Sequence, residues 1–152
     1  VITAGSVCPG KNISAIQGDV AAVQNAIKVG EQAGEGQIVD SIVIPNVHPG
    51  IFPAITGTTM PDNMNALGIL ESFSLAFMIR VADVALKAAA IEAIELRLGM
   101  GLGGKAYFTF TGNVGAVESA VKAAVDDAAD NGLLVDTEVI PAPSKKFWAT
   151  LF

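Results

Sequence analysis

The chain has 152 residues, 51% of them hydrophobic, a net charge of −6 and one cysteine. No cluster of Lys and Arg forms a phosphate-binding stripe, which argues against a nucleic-acid partner. No apolar run reaches the roughly 20 residues of a membrane helix, and a single cysteine leaves no intrachain disulfide, as suits a reducing cytosol.

Val1 follows no Met and opens no signal-type segment, so it reads as a processed or truncated start. Residues 1–7 read as the end of a strand, and 12–17 as a second strand. Asp19 caps a helix that runs to Gly34 or Gly36, and Ile38 to Ile44 reads as a closing strand. Pro49, Pro53, Gly57 and Pro61 then mark residues 50–64 as a linker. Ala66 to Leu70 is a short buried strand. Ser72 or Ser74 caps the stretch after it, where Leu75, Met78, Ile79, Ala82, Leu86 and Ala89 recur at helical spacing. Ile91 to Leu98 alternates apolar with charged residues, as a strand with one solvated face does. A glycine-rich loop, 99–104, leads into a strand over 105–110. Asn113 caps an Ala-rich helix to about Asn131, and Gly132 ends it. Leu133 to Ile140 is the last strand, stopped by Pro141 and Pro143. From residue 65 the order is β-α-β-β-α-β, an α+β ferredoxin-like arrangement.

The front third of the chain is written again, with changes, at its back. Residues 10–37 run beside 104–131 without a gap, with identities at Gly18/Gly112, Val20/Val114, Ala22/Ala116, Val23/Val117, Ala26/Ala120 and Lys28/Lys122. Two extra residues in the second copy bring Val39-Asp40 onto Val135-Asp136 and Ile44-Pro45 onto Ile140-Pro141. Nothing in the first copy corresponds to residues 65–94. The chain therefore divides into a partial first domain (1–49), the linker (50–64) and a complete second domain with a C-terminal tail (65–152). A half-domain leaves sheet edges and apolar faces uncovered. The expectation is a β-α unit ahead of Val1, either cleaved, left out, or supplied by another chain.

Several residues invite a chemical reading. Gly99-Met100-Gly101-Leu102-Gly103-Gly104 satisfies Gly-x-Gly-x-x-Gly, but a dinucleotide site needs that loop to open a helix, and a strand follows. Cys8 alone is a poor metal site, since a lone cysteine is most often a small buried hydrophobe. His48, the only histidine, has no ligand at a known spacing and reads as a loop-packing residue. Asp126, Asp127 and Asp130 read as a solvated helix face, and Trp148 as the apolar anchor of the tail. Lys87 by itself is a solvated lysine at a helix end.

Taken together, these motifs resemble a known family. Ala66-Leu67-Gly68-Ile69-Leu70-Glu71-Ser72, then Ala82-Asp83-Val84-Ala85-Leu86-Lys87-Ala88-Ala89, looks like the opening of a bacterial microcompartment shell domain. Thr111-Gly112-Asn113-Val114-Gly115-Ala116-Val117 and Val139-Ile140-Pro141-Ala142-Pro143 look like its later motifs. Two such domains in tandem resemble the trimeric class of shell proteins. Cys8-Pro9-Gly10-Lys11, Gly18-Asp19 and Asn46-Val47-His48-Pro49 look most like its propanediol-utilisation members.

The resemblance implies a structural protein of the shell in the bacterial cytoplasm, assembled as a homotrimer that mimics a hexamer. Subunit and tile contacts would then account for the high apolar content. The loop before the third strand lines the central pore in this family. Here it is Gly5, Ser6, Val7, Cys8, Pro9 and Gly10 in one copy, and Gly99, Met100, Gly101, Leu102, Gly103 and Gly104 in the other. The lysine of Asp-x-x-x-Lys-Ala-Ala lies at the tile edge, which falls on Lys87. The family's Ile-Pro-Arg-Pro departs to Ala142 and Asn46, removing the residue of the usual arginine edge contact. A trimer brings three Cys8 thiolates together, enough for Zn²⁺ with one open position or for three irons of a cubane. Relatives imply a [4Fe-4S] cluster there, one per trimer, with an electron-conduit or cofactor-port role. The partners implied are other shell proteins and a luminal redox enzyme. The alternatives are a ferredoxin-like-fold enzyme using Cys8, which lacks a recognisable base, and a small-molecule-binding regulatory domain.

Overall fold

The computed structural model describes residues 1–62 and 64–151. Two strands open the chain, β1 (Thr3–Val7) and β2 (Lys11–Ala15), followed by helix α1 (Val20–Ala33) and the short helix α2 (Ile51–Thr56). The complete unit then runs β3 (Ala66–Ser72), α3 (Leu75–Ala88), β4 (Glu92–Leu98), β5 (Ala106–Gly112), α4 (Val114–Ala128) and β6 (Leu134–Ile140), with α5 (Lys145–Trp148) in the tail. The last four strands form one antiparallel sheet in the order β4-β5-β3-β6, while β1 and β2 make a separate hairpin.

Side-chain oxygens start the helices as expected. Asp19 accepts from the Ala21 and Ala22 amides, Ser74 from Phe77, and Asn113 from Ala116, which satisfies donors that a first turn leaves unpaired. Strand alternation then sorts the two faces of the sheet. Ala66, Leu70, Leu96, Phe108 and Phe110 face α3 and α4 and join Met78, Val81, Val117, Ala120 and Ala124 in the main core. Leu67 and Ile94 lie on the other face, where Trp148 packs on them as the tail's apolar anchor. Gly68 sits opposite Phe110 in register, and a Cβ there would lie 2.3 Å from the Phe110 ring. Phe110 is itself fully buried and stacked on Phe108 at 5.1 Å, so it has little room to give way.

The first repeat departs from expectation at its end. Residues 38–44, expected as its closing strand, are not a strand. The reason lies in the pairing of the second repeat, where β6 is hydrogen-bonded only to β3. The first repeat has no counterpart of β3, so this backbone has no ladder to join. The segment is held by side chains instead: Ser74 Oγ donates to Asp40, and Ser41 Oγ donates to Glu31. Helix α1 shows the same deficit, with no buried residue, whereas α4 buries Val117, Ala120, Ala124 and Ala128.

Two smaller readings also change. Gly132 does not end α4 directly; the helix stops at Ala128, and Gly132 takes its positive φ of 62° in the turn beyond. The interval 50–64 is not irregular throughout, because α2 buries Ile51 and Ala54 against β4 and α3.

Gly68→Ala is expected to cost about 1–3 kcal/mol through overpacking, read as a lower urea midpoint at unchanged slope. Native-state hydrogen exchange should find the α1 amides opening well before those of α4, since local opening is easiest where little is buried. Equal protection of both helices would contradict this.

Candidate functional site

The two loops singled out in the sequence meet in the structure. β1 and β2 pair through Val7 opposite Lys11, so Cys8, Pro9 and Gly10 form a three-residue hairpin tip. Such tips need a left-handed residue, and Gly10 supplies it at φ 77°. Ser6 Oγ donates to Asn12 Oδ1 at 3.0 Å across the base of the tip. Cys8 is a free, exposed thiol at its end. The loop between β4 and β5 is the counterpart, with Gly99, Gly101, Gly103 and Gly104 all at positive φ.

The absence of side chains on two of those glycines lets the loops touch. A Cβ on Gly104 would lie 3.0 Å from Pro9 Cδ and 3.3 Å from both the Cys8 carbonyl and Lys11 Nζ. A Cβ on Gly99 would lie 3.0 Å from Val7 Cβ and 3.3 Å from Leu75 Cδ2. Val7 is accordingly 8% exposed. Gly5, Gly10, Gly101 and Gly103 face open space, and Met100 projects with 67% exposure. Lys105, after the second loop, pairs with Glu71 at 2.6 Å. Its counterpart Lys11 has no carboxylate within ion-pair distance among the described residues, because the first repeat lacks the strand that would carry one.

Among the described residues no three of His, Cys, Asp and Glu gather into a group able to hold a metal. Cys8 contributes one soft donor per chain, so any metal or cluster at this tip needs donors from other copies.

Lys87 lies in the last turn of α3 and pairs with Asp83 at 2.6 Å. Asp83 is 4% exposed and accepts a second hydrogen bond, from the His48 amide at 2.7 Å. His48 Nδ1 accepts from the Gly50 amide at 3.2 Å, which leaves the ring proton on Nε2. His48 is therefore a loop-packing residue. Asp83 was the overlooked member; its place four residues before Lys87 was the available signal.

The acidic helix face needs correction. Asp126 is solvated and paired with Lys122, but Asp127 binds Arg80 of α3 at 2.8 Å, with its second oxygen buried and unpartnered. Sequence reading also missed the polar centre of the open sheet face. There Tyr107 donates to Glu95 Oε2 at 2.6 Å, and Arg97 pairs with Glu95 Oε1 at 2.7 Å. Burial, reinforced by the bond to Glu95, pushes the Tyr107 phenol up to about 12. The bond to Glu95 likewise raises Arg97. Tyr107 and Glu95 line a shallow cavity of about 340 Å³ with Ile69, Glu71, Asp136, Glu138 and Leu151.

The sequence and the fold place this chain in the BMC domain family, whose model matches residues 1–47 and 66–143. The two matched stretches are the two repeats. The chain is 39% identical over 148 residues to the bacterial microcompartment shell protein PduT of Citrobacter freundii, covering 97% of this chain and 80% of that protein. It is also similar to the crystal structure of a microcompartments protein from Desulfitobacterium hafniense DCB, with a TM-score of 0.90 and 44% identity over 97% of this chain and 82% of that one.

Tyr107 is the only tyrosine, so ultraviolet titration of phenolate reads it alone. Its midpoint is expected near 12, and Glu95→Gln should lower it by removing the carboxylate charge. A phenol raised above its unfolded value near 10 stabilises the fold below that pH. The contribution is lost as pH climbs towards 12.

Proposed function

We propose that three copies of this chain close into a flat ring of six sectors whose central opening is lined by the paired loops. As a BMC-domain chain it is a structural component of a bacterial microcompartment shell in the cytoplasm, not an enzyme. No helix among the described residues is long and apolar enough to cross a membrane. The observation that carries the ring is the seating of Gly104 against Pro9 and the Cys8 carbonyl. Homologous loops of two repeats lie side by side, as neighbouring sectors around one axis require. Duplication then gives a six-sector ring three cysteines at its centre instead of six.

In this reading each chain offers one Cys8 thiolate at the three-fold axis, and three thiolates suit three irons of a [4Fe-4S] cluster, one per trimer. The exposed hairpin tip supports it, as do the bare glycines at positions 5 and 10, which permit close approach of three backbones. Cys8 is the residue that would hold the cluster, and the fourth iron falls to solvent or a small ligand. Such a group supplies one-electron transfer across the shell, towards a redox enzyme on the luminal side. Lys87 is the edge residue through which rings tile with other shell proteins.

A thiol enzyme is the weaker reading. Catalysis by Cys8 needs a base within hydrogen-bond reach, and the single histidine is engaged at Gly50 and Asp83.

Sedimentation should give a trimer, and electron microscopy flat particles with a central opening. Anaerobically prepared protein should carry about one cluster per three chains by iron and sulfide assay. Cys8→Ser should remove the cluster absorbance and leave the trimer. A monomer sinks the ring; an iron-free trimer from anaerobic, iron-supplied cells sinks the cluster alone.

A further inference from the structure

We infer that Asp83 is a positioning residue for the tile edge: it fixes Lys87 and the His48 turn in a single arrangement, so that the connection between the repeats sets the edge. The inference rests on the proposed role of Lys87 and adds a residue and a mechanism to it.

The argument begins with burial. The Asp83 side chain is 6% exposed while that of Lys87 is 41% exposed, so the carboxylate lies inside and the ammonium reaches out. A carboxylate at that depth is costly unless charge and hydrogen bonds compensate it. Both oxygens are used, Oδ1 by the His48 amide and Oδ2 by Lys87 Nζ. The pair Lys122 and Asp126 makes a useful contrast. It has the same four-residue spacing, yet its side chains are 73% and 63% exposed, and solvent screens such a pair to little effect.

A cation in the last turn of a helix is favoured by the helix dipole alone. Asp83 is therefore not needed to keep α3 helical. What it supplies is direction. A lysine stem has among the largest rotamer entropies of any side chain, and a contact that uses it must order it. A lysine already tethered to a fixed, buried carboxylate enters the contact with part of that ordering done.

The carboxylate is fixed from the other side by the linker. Gly50 donates to the ring of the same His48, and it leads directly into α2, whose Ile51 and Ala54 are buried. A Cβ on Gly50 would stand 3.1 Å from His48 Nδ1 and 3.6 Å from Leu86 Cδ1, so turn, linker helix and α3 are packed closely here. Asp83 thus ties the His48 turn and the start of α2 to Lys87.

The test measures the critical concentration for sheet assembly, by pelleting, in the unaltered chain, Asp83→Asn, Lys87→Ala and the double variant, with urea unfolding as a control on the fold. Asn keeps one oxygen as the acceptor for His48, and replaces the oxygen that accepts from Lys87, with its charge, by an NH2 donor. Asp83→Asn is expected to raise the critical concentration about fivefold, the scale of one partly exposed ion pair, while leaving the trimer intact. In the Lys87→Ala background it should add nothing, because it acts through that lysine. Assembly of Asp83→Asn at the unaltered concentration, or a full additional effect on top of Lys87→Ala, overturns the positioning role. Unaltered assembly by Lys87→Ala instead overturns the edge reading beneath it. Should Asp83→Asn unfold, side-chain ¹⁵N spectra of the unaltered trimer decide the matter. An ordered Lys87 ammonium, distinct from the Lys122 signal, supports the tether, and free rotation of both overturns it.

Discussion

The second repeat is organised on β3, one of its two central strands and the one that carries the edge strand β6. It joins β5 to β6, and its alternation supplies Ala66 and Leu70 to one face and Leu67 and Ile69 to the other. Remove it and β6 loses its only ladder, the helices lose the centre of their floor, and Lys105 loses Glu71. Among the described residues of the first repeat no strand plays that part. Its closing segment is unpaired, its helix buries nothing, and Lys11 stands without a carboxylate. Two copies of one motif, differing in one strand and one helix, therefore separate local propensity from tertiary support. Helix α1 is capped by Asp19 as well as α4 is by Asn113, yet only α4 has something to pack against.

Legibility followed the same division. Elements whose signals are local were read correctly: the caps at Asp19, Ser74 and Asn113, the strands from 66 onward, and Trp148 as an apolar anchor. The closing segment of the first repeat is not a strand because β-branched residues over 38–44 favour extended backbone without supplying a partner strand. The loop residues could be found from the repeat and the family likeness, but their contact could not. It depends on the absence of a Cβ at Gly99 and Gly104, and the sequence shows such absences without saying what fills them. Asp83 was written in plain view four residues before Lys87; only its burial, set by the distant His48 turn, separates it from a solvated pair such as Lys122 and Asp126.

Charge is distributed with some economy around this scaffold. Three carboxylates join separate elements: Asp40 ties the first repeat to the start of α3, Asp83 ties the linker to its end, and Asp127 ties α4 to α3. These are few contacts, each directional, laid over a core that is not. Polar bonds here settle orientation between parts whose association is already favoured by apolar contact.

The glycines of the loop between β4 and β5 carry one more implication, for how such a loop can change over time. Four of its six positions hold left-handed glycine, where any other residue is strained. Two of those four are also pressed against the first repeat. Only Met100 and Leu102 remain as places where a new side chain can be written without rebuilding the backbone. Variation of this loop is thus confined to two letters, while the shorter tip around Cys8 is free to acquire a different chemistry altogether.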